Sequence, residues 1–204
     1  MQNDPHASDI DAQWAFQHYE SIRHTLPSAS FPQASMWVKG LADVAAHFDV
    51  FLLDAFGVLN VGQTAIKSAP LAVESLQLAG KKVMVLTNGA SLPAFEAQKK
   101  LQKMGFNFAL NNIVASRDAL CKGLVTAFPQ PQDGCLWGVM AQPNSQLITL
   151  PVNNLALGNN IELYDQVSGF ILLGASHWTP HQQQLLVQSL SQNPRPVWVG
   201  NPDL

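Results

Sequence analysis

The stretch Asp49-Val50-Phe51-Leu52-Leu53-Asp54-Ala55-Phe56-Gly57-Val58-Leu59 leaves few folds open to this chain. Its apolar centre fits a buried strand of a parallel sheet, and that strand ends on a single carboxylate with a glycine three residues later. Burial of Val50 to Leu53 places Asp54 at the carboxyl end of the strand, where open α/β sheets hold their ligands. An ionised acid at the edge of an apolar sheet is costly unless it is paired or binds a metal. On this segment alone, a strand-ending cap or turn explains Asp54 equally well.

The second half of the pattern is Lys81-Lys82-Val83-Met84-Val85-Leu86-Thr87-Asn88-Gly89, again an apolar run closing on small polar residues and glycine. Residues 68–80 between the two runs read as a helix. Pro70 sits near its first turn, Leu71, Glu74/Ser75 and Leu78 follow helical spacing, and Gly80 supplies the stop. Strand, helix and strand of this length make a right-handed parallel crossover. Asp54 and Thr87 are therefore expected on neighbouring strand tips, facing one crevice. The next helix is predicted from Pro93 to Met104, with Lys99, Lys100 and Lys103 on its wetter side and Gly105 ending it.

The phrases Asp54-Ala55-Phe56-Gly57-Val58-Leu59 and Leu86-Thr87-Asn88-Gly89, with Gly62 and Pro70 between them, resemble the first two motifs of the haloacid dehalogenase-like (HAD) hydrolases. They look like subfamily IIA, which includes the nitrophenyl phosphatase and pyridoxal phosphate phosphatase types. The tail Val197-Trp198-Val199-Gly200-Asn201-Pro202-Asp203-Leu204 resembles the same branch, which has an Asn-Pro-Asp phrase late in its cap domain. The resemblance covers roughly residues 48–204. It implies an α/β fold: the first half of a HAD-like, Rossmann-type parallel-sheet core, then most of an α/β C2-type cap. Asp54 and Thr87 are 33 positions apart, too close to enclose a cap, so the cap is expected after Thr87. By the same resemblance Asp54 is the nucleophile that forms an aspartyl-phosphate, and Thr87 binds the transferred phosphoryl group with Asn88 and Gly89. Mg²⁺ is the implied cofactor, held by Asp54 and the backbone carbonyl of Phe56. A small phosphorylated metabolite is the implied substrate.

Two departures from the family pattern bear on activity. Most HAD phosphatases carry a second Asp two residues after the nucleophile as general acid and base, and here that position is Phe56. Proton transfer by a placed side chain is typically worth about two to four orders of magnitude in rate, so turnover should be slow or confined to good leaving groups. The family also needs a third-motif Lys and a fourth-motif Asp pair after the cap, and neither pattern occurs up to Leu204. The expectation is a truncated or partial chain, catalytically silent by itself and weak in Mg²⁺ binding. An exposed edge on the Asp54 strand would then favour self-association into a homo-oligomer. The reading from another class is a non-catalytic HAD fold that binds a phosphorylated ligand or a protein partner; Phe56 favours it, while Asp54 and Thr87 favour the enzyme.

Composition narrows the partners. Net charge is −3 with 12% charged residues and no Lys/Arg cluster, which argues against nucleic acid. No apolar stretch approaches the roughly 20 residues of a membrane helix. The N-terminus lacks the basic and apolar regions of a signal peptide, so a cytoplasmic location is expected. Cys121 and Cys135 read as two reduced thiols. His177 and His181 have the spacing of a zinc-binding helix, but Pro180 lies between them and helix-start residues are the better reading.

Three regions are expected: an N-terminal helical extension over 1–47, the first half of the core over 48–112, and the cap over 113–204. Helices are predicted over Asp11–His24 and Met36–Ala46. Strands are predicted over Cys135–Met140, Gly169–Gly174 and 197–199, and a further helix from Pro180 to Leu190. The span Gln142–Asn160 gives no assignment.

Overall fold

The computed structural model of the 204-residue chain describes residues 11–128 and 134–201. Two compact units divide at Val38/Lys39. In the first, α1 (Ala12–Ser21) starts where the Asp11 carboxylate accepts the Trp14 amide at 2.7 Å, and it buries no side chain. A 3-10 turn, Arg23–Thr25, ends the expected helix.

The helix expected over Met36–Ala46 does not form. Two 3-10 turns, Leu41–Asp43 and Ala45–His47, stand in its place. The Asp43 carboxylate accepts the Lys39 amide at 2.7 Å, a local bond that draws the chain into a turn instead of a helix.

The second unit begins with the apolar strand β1 (Val50–Asp54), a short hairpin of β2 (Asn60–Val61) and β3 (Thr64–Ala65), α2 (Ala69–Leu78) and β4 (Lys82–Thr87). After α2 the chain stops as expected. Gly80 takes φ 74°, its amide reaches the Gln77 carbonyl, and the Lys81 amide reaches Leu76, both at 3.0 Å. α3 (Ala94–Lys103) and β5 (Ile113–Ala115) follow. β1, β4 and β5 form one parallel sheet in the order β1-β4-β5, with Asp54 opposite Leu86 and Thr87 opposite Ala115. β5 therefore carries this sheet on to Ala115, past the expected boundary at residue 112.

The Asp54 strand is not buried along its whole length. Phe51 and Leu53 face α2 and α3 and join Val73, Leu76, Val85 and Leu101 in one core, each full burial worth about 1.5–3 kcal/mol. Val50 and Leu52 face the other way and are exposed.

α4 (Ser116–Ala127) leaves β5 for a second, four-stranded sheet. Its strands are β6 (Trp137–Met140), β7 (Asn154–Ala156), β8 (Gly169–Leu172) and β9 (Val197–Val199), all parallel, in the order β7-β6-β8-β9. Helices α5 (Ile161–Gln166) and α6 (Pro180–Gln192) complete it. One face packs Leu120 and Leu124 of α4 against Trp137, Val139 and Ile171. The other packs Tyr164, Leu185 and Leu186 against Phe170. Thr179 and Gln182 cap α6 reciprocally, each side chain accepting the other's amide. No helix among the described residues is long and apolar enough to cross a membrane.

Candidate active site

β1 and β4 run parallel, so their carboxyl ends deliver Asp54 and Thr87 to adjacent strand tips, as the crossover required. The Asp54 Oδ1 accepts the Ala55 amide at 2.7 Å, and no hydrogen bond reaches Oδ2 among the described residues. One oxygen is held by the backbone, and the residue as a whole is exposed. The Thr87 Oγ1 accepts the Gly89 amide at 3.2 Å, which leaves its hydroxyl proton to donate to a ligand.

Behind Asp54 the chain turns tightly. The Ala55 carbonyl accepts the amides of Leu59 and Asn60 at 2.8 and 3.1 Å, and the Gly57 amide donates to the Asn60 carbonyl at 2.8 Å. This pairing bridges Phe56 to Asn60. No backbone amide among the described residues donates to the Phe56 carbonyl, while the phenyl ring stands 68% exposed. The ring adds no proton-transfer group to the tip.

Beside these tips lies a cavity of about 170 Å³ whose wall includes Ala55, Thr87, Gly89, Ser91, Lys100 and Gln142. Three of these were not read as site residues from the sequence. Lys100, assigned there to the wetter side of its helix, is half-buried and shares the cavity wall with Ala97 and Leu101. The i, i+3, i+4 spacing of Ala97, Lys100 and Leu101 on α3 is the signal that could have found it. Gln142 follows β6 in the unassigned span, and Ser91 sits in the loop between β4 and α3.

The second sheet meets the first at this loop. A Cβ at Gly174 would stand 3.0 Å from the Ser91 Oγ, and one at Gly200 would stand 3.0 Å from the Ala90 Cβ. The residues after β8 and β9 thus pack directly on residues 90–91, and the cavity lies where strand ends of both sheets converge.

A larger groove of about 800 Å³ runs along Phe128, Trp137, Leu147, Ile148 and Leu155. Its lining includes none of the strand-tip residues, so size does not mark the site here. Asn88 lies at the tip after Thr87. The phrase ending in Pro202 and Asp203 falls partly outside the described residues.

Metal-binding capacity at the tips is limited. No group of three or more His, Cys, Asp or Glu side chains is clustered for a metal among the described residues, His177 and His181 included. Asp54 and the Phe56 carbonyl offer one charged and one neutral oxygen. That donor set suits a hard cation that keeps most of its water and takes oxygens from its ligand.

Residues 51–145 match the model of a family described as haloacid dehalogenase-like hydrolase. A stretch of 63 residues is 38% identical to a glycerol-3-phosphate phosphatase of Gallus gallus, covering 31% of this chain and 20% of that protein. Among solved structures, a possible sugar phosphatase of the HAD superfamily from Cytophaga hutchinsonii superposes with a TM-score of 0.66 at 18% identity, over 80% of this chain and 58% of that one. A glycerol phosphate phosphatase from Mycobacterium tuberculosis in complex with magnesium gives 0.58 at 17% identity, over 78% and 46%. The chain therefore spans about half the length of these structural neighbours, 58% and 46%, and 20% of the curated relative, and the structural neighbours share its α/β fold.

Proposed function

We infer that the whole protein is a haloacid dehalogenase-like hydrolase, whose family model residues 51–145 match and whose subfamily IIA fits the neighbours, and that it hydrolyses a small phosphorylated metabolite at the Asp54–Thr87 tips. The observation that carries this reading is the placement of the exposed Asp54, with only Oδ1 hydrogen-bonded among the described residues, beside a hydroxyl donor on Thr87 at adjacent strand ends. Asp54 Oδ2 attacks phosphorus, an acyl-phosphate forms as the ester P–O bond breaks, and the leaving oxygen takes its proton from water; a second water then cleaves the acyl-phosphate, releasing inorganic phosphate and restoring the carboxylate. Thr87 donates its hydroxyl proton to a phosphoryl oxygen, and the backbone at Asn88 and Gly89 binds the others. Asp54 and the Phe56 carbonyl would hold Mg²⁺, which supplies positive charge to the phosphoryl oxygens when bound. The second sheet with its helices serves as the cap in this reading, and residues from Lys39 to Ala115 as the first part of the core.

Phe56 favours a second reading, a crevice that binds a phosphorylated ligand without turning it over. Two variants of the whole protein separate the readings. Asp54→Asn should reduce release of phosphate from p-nitrophenyl phosphate to background, since an amide cannot form the acyl-phosphate; undiminished hydrolysis would remove Asp54 from the chemistry. Phe56→Asp should raise turnover of alkyl phosphates more than of aryl ones, by up to about two orders of magnitude, because only the alkyl leaving group needs protonation. Equal or lower rates on both would count against a missing acid as the limiting step.

A further inference from the structure

Among the described residues Arg117 is the largest fully buried side chain, 1% exposed, and no carboxylate is hydrogen-bonded to it. It occupies the second position of α4, close to the positive end of that helix. Burial holds its pKa below the ordinary value, opposed by Cys121 and Asp118 nearby. A buried guanidinium without an ionic partner is costly, and an apolar side chain would fill the same space without that cost.

Its hydrogen bonds join two separate segments. Nη1 donates to the carbonyls of Ala90 and Ser91, each at 3.3 Å, while Nη2 donates to the Gln146 carbonyl at 3.0 Å and the Thr149 Oγ1 at 2.9 Å. Nε is buried and unpartnered. Ala90 and Ser91 lie in the loop that begins at Thr87. Gln146 and Thr149 lie in the turn between β6 and β7, where Asn144 and Gln146 hold φ values of 66° and 49°. Residues other than glycine keep such backbone only when their surroundings fix it. The Gln146 side chain in turn donates to Glu96 at 3.0 Å on α3, the helix that continues the same loop. The contacts close a ring from the loop through Arg117 and Gln146 to α3 and back.

We propose that Arg117 is the positioning residue of the phosphoryl-binding loop, fixing the backbone from Thr87 to Ser91 by clamping it to the Gln146–Thr149 turn. The clamp stands on contacts alone; that its loop binds phosphoryl groups rests on the hydrolase reading. A planar fork is needed to serve both segments at once, and a lysine ammonium cannot reproduce that geometry.

Amide hydrogen exchange, with amide shifts followed during titration by inorganic phosphate, tests this on the whole protein and on its Arg117→Met and Arg117→Lys variants. Exchange should rise about tenfold or more in Arg117→Met at both 89–92 and 146–150, the loss expected when charged hydrogen bonds are removed, with β4 and β8 unchanged. Phosphate affinity should fall by a similar factor, and Arg117→Lys should loosen both segments to a lesser degree. Exchange that rises in one segment only, or uniformly through the chain, overturns the clamp. Should Arg117→Met not fold, the Lys variant carries the same comparison, and two unchanged segments there overturn it too. Phosphate binding as tight in a loosened variant as in the wild type overturns the positioning role alone. A whole wild-type protein in which phosphate shifts no loop amide overturns the hydrolase reading and, with it, the proposed role, while the exchange pattern still decides the clamp.

Discussion

Along β1 exposed and buried residues alternate, with Phe51 and Leu53 at 7% exposure and Val50 and Leu52 at 49% and 58%. Along β6 all four residues from Trp137 to Met140 are buried. Both strands are parallel and apolar, so the contrast comes from what covers them. The first sheet has helices packed on one face, and Leu86 and Val114 continue the exposed stripe across β4 and β5. The second sheet is packed on both faces, by α4 on one and by α5 and α6 on the other. The first sheet gives the candidate nucleophile an exposed tip, and the second supplies the firmly packed body whose strand ends close over the adjoining loop.

Truncation experiments on single side chains can break this contrast. The largest effect is expected at Phe170, which is fully buried against Tyr164 and the α6 leucines. Phe170→Ala should cost about 3–5 kcal/mol in urea unfolding, and a loss below 1 kcal/mol would deny the second sheet its two-sided core. Next comes a pair within one strand. Leu53→Ala should cost about 2–4 kcal/mol, whereas the adjacent Leu52→Ala should stay within about 0.5 kcal/mol. Equal losses at the two positions would mean that both faces of β1 are covered in solution.

Smaller changes sharpen the account. Thr179→Ala removes the cap of α6 and should cost about 1 kcal/mol, read as a lower unfolding midpoint with an unchanged slope. Alkaline titration supplies the last comparison. Burial pushes the Tyr164 hydroxyl from 10.0 up to about 12, and it donates to the Gly158 carbonyl at 2.8 Å. A pKa raised on folding gives stability that is complete below pH 10 and is lost as pH rises through about 12. The wild type should therefore weaken across that window, and Tyr164→Phe should weaken less. Parallel pH profiles for the two would contradict the burial of this group.

Asp54 and Thr87 were legible in the sequence because an apolar run ending in a polar residue and glycine fixes both a strand and its tip. The helix between them was legible through Pro70 and Gly80, which act locally. Coverage of β1 was not legible, since four consecutive apolar residues fit one-sided and two-sided burial equally. The β4 partner at Ile113–Ala115 is only three residues long, too short to show a period. α4 was also missed, and its interior Gly123 has a tertiary cause. A Cβ there would stand 2.9 Å from the Trp198 ring, a contact 75 positions away in sequence. Arg117 was missed for the same reason, because its partners are carbonyls that no side-chain pattern announces. The misplacing of Lys100 was different in kind. Its helix was found, but which side of that helix lined a cavity depended on the loop from Thr87 to Ser91.

The account turns on Asp54 as the atom-bearing group of phosphoryl transfer. Borohydride quenching of the whole protein during turnover of p-nitrophenyl phosphate, followed by peptide mass spectrometry, addresses this directly, because reduction of an aspartyl-phosphate leaves homoserine. The account predicts homoserine at Asp54 and none in the Asp54→Asn variant. Steady phosphate release with Asp54 unmodified, or a label at Asp49 instead, would contradict it.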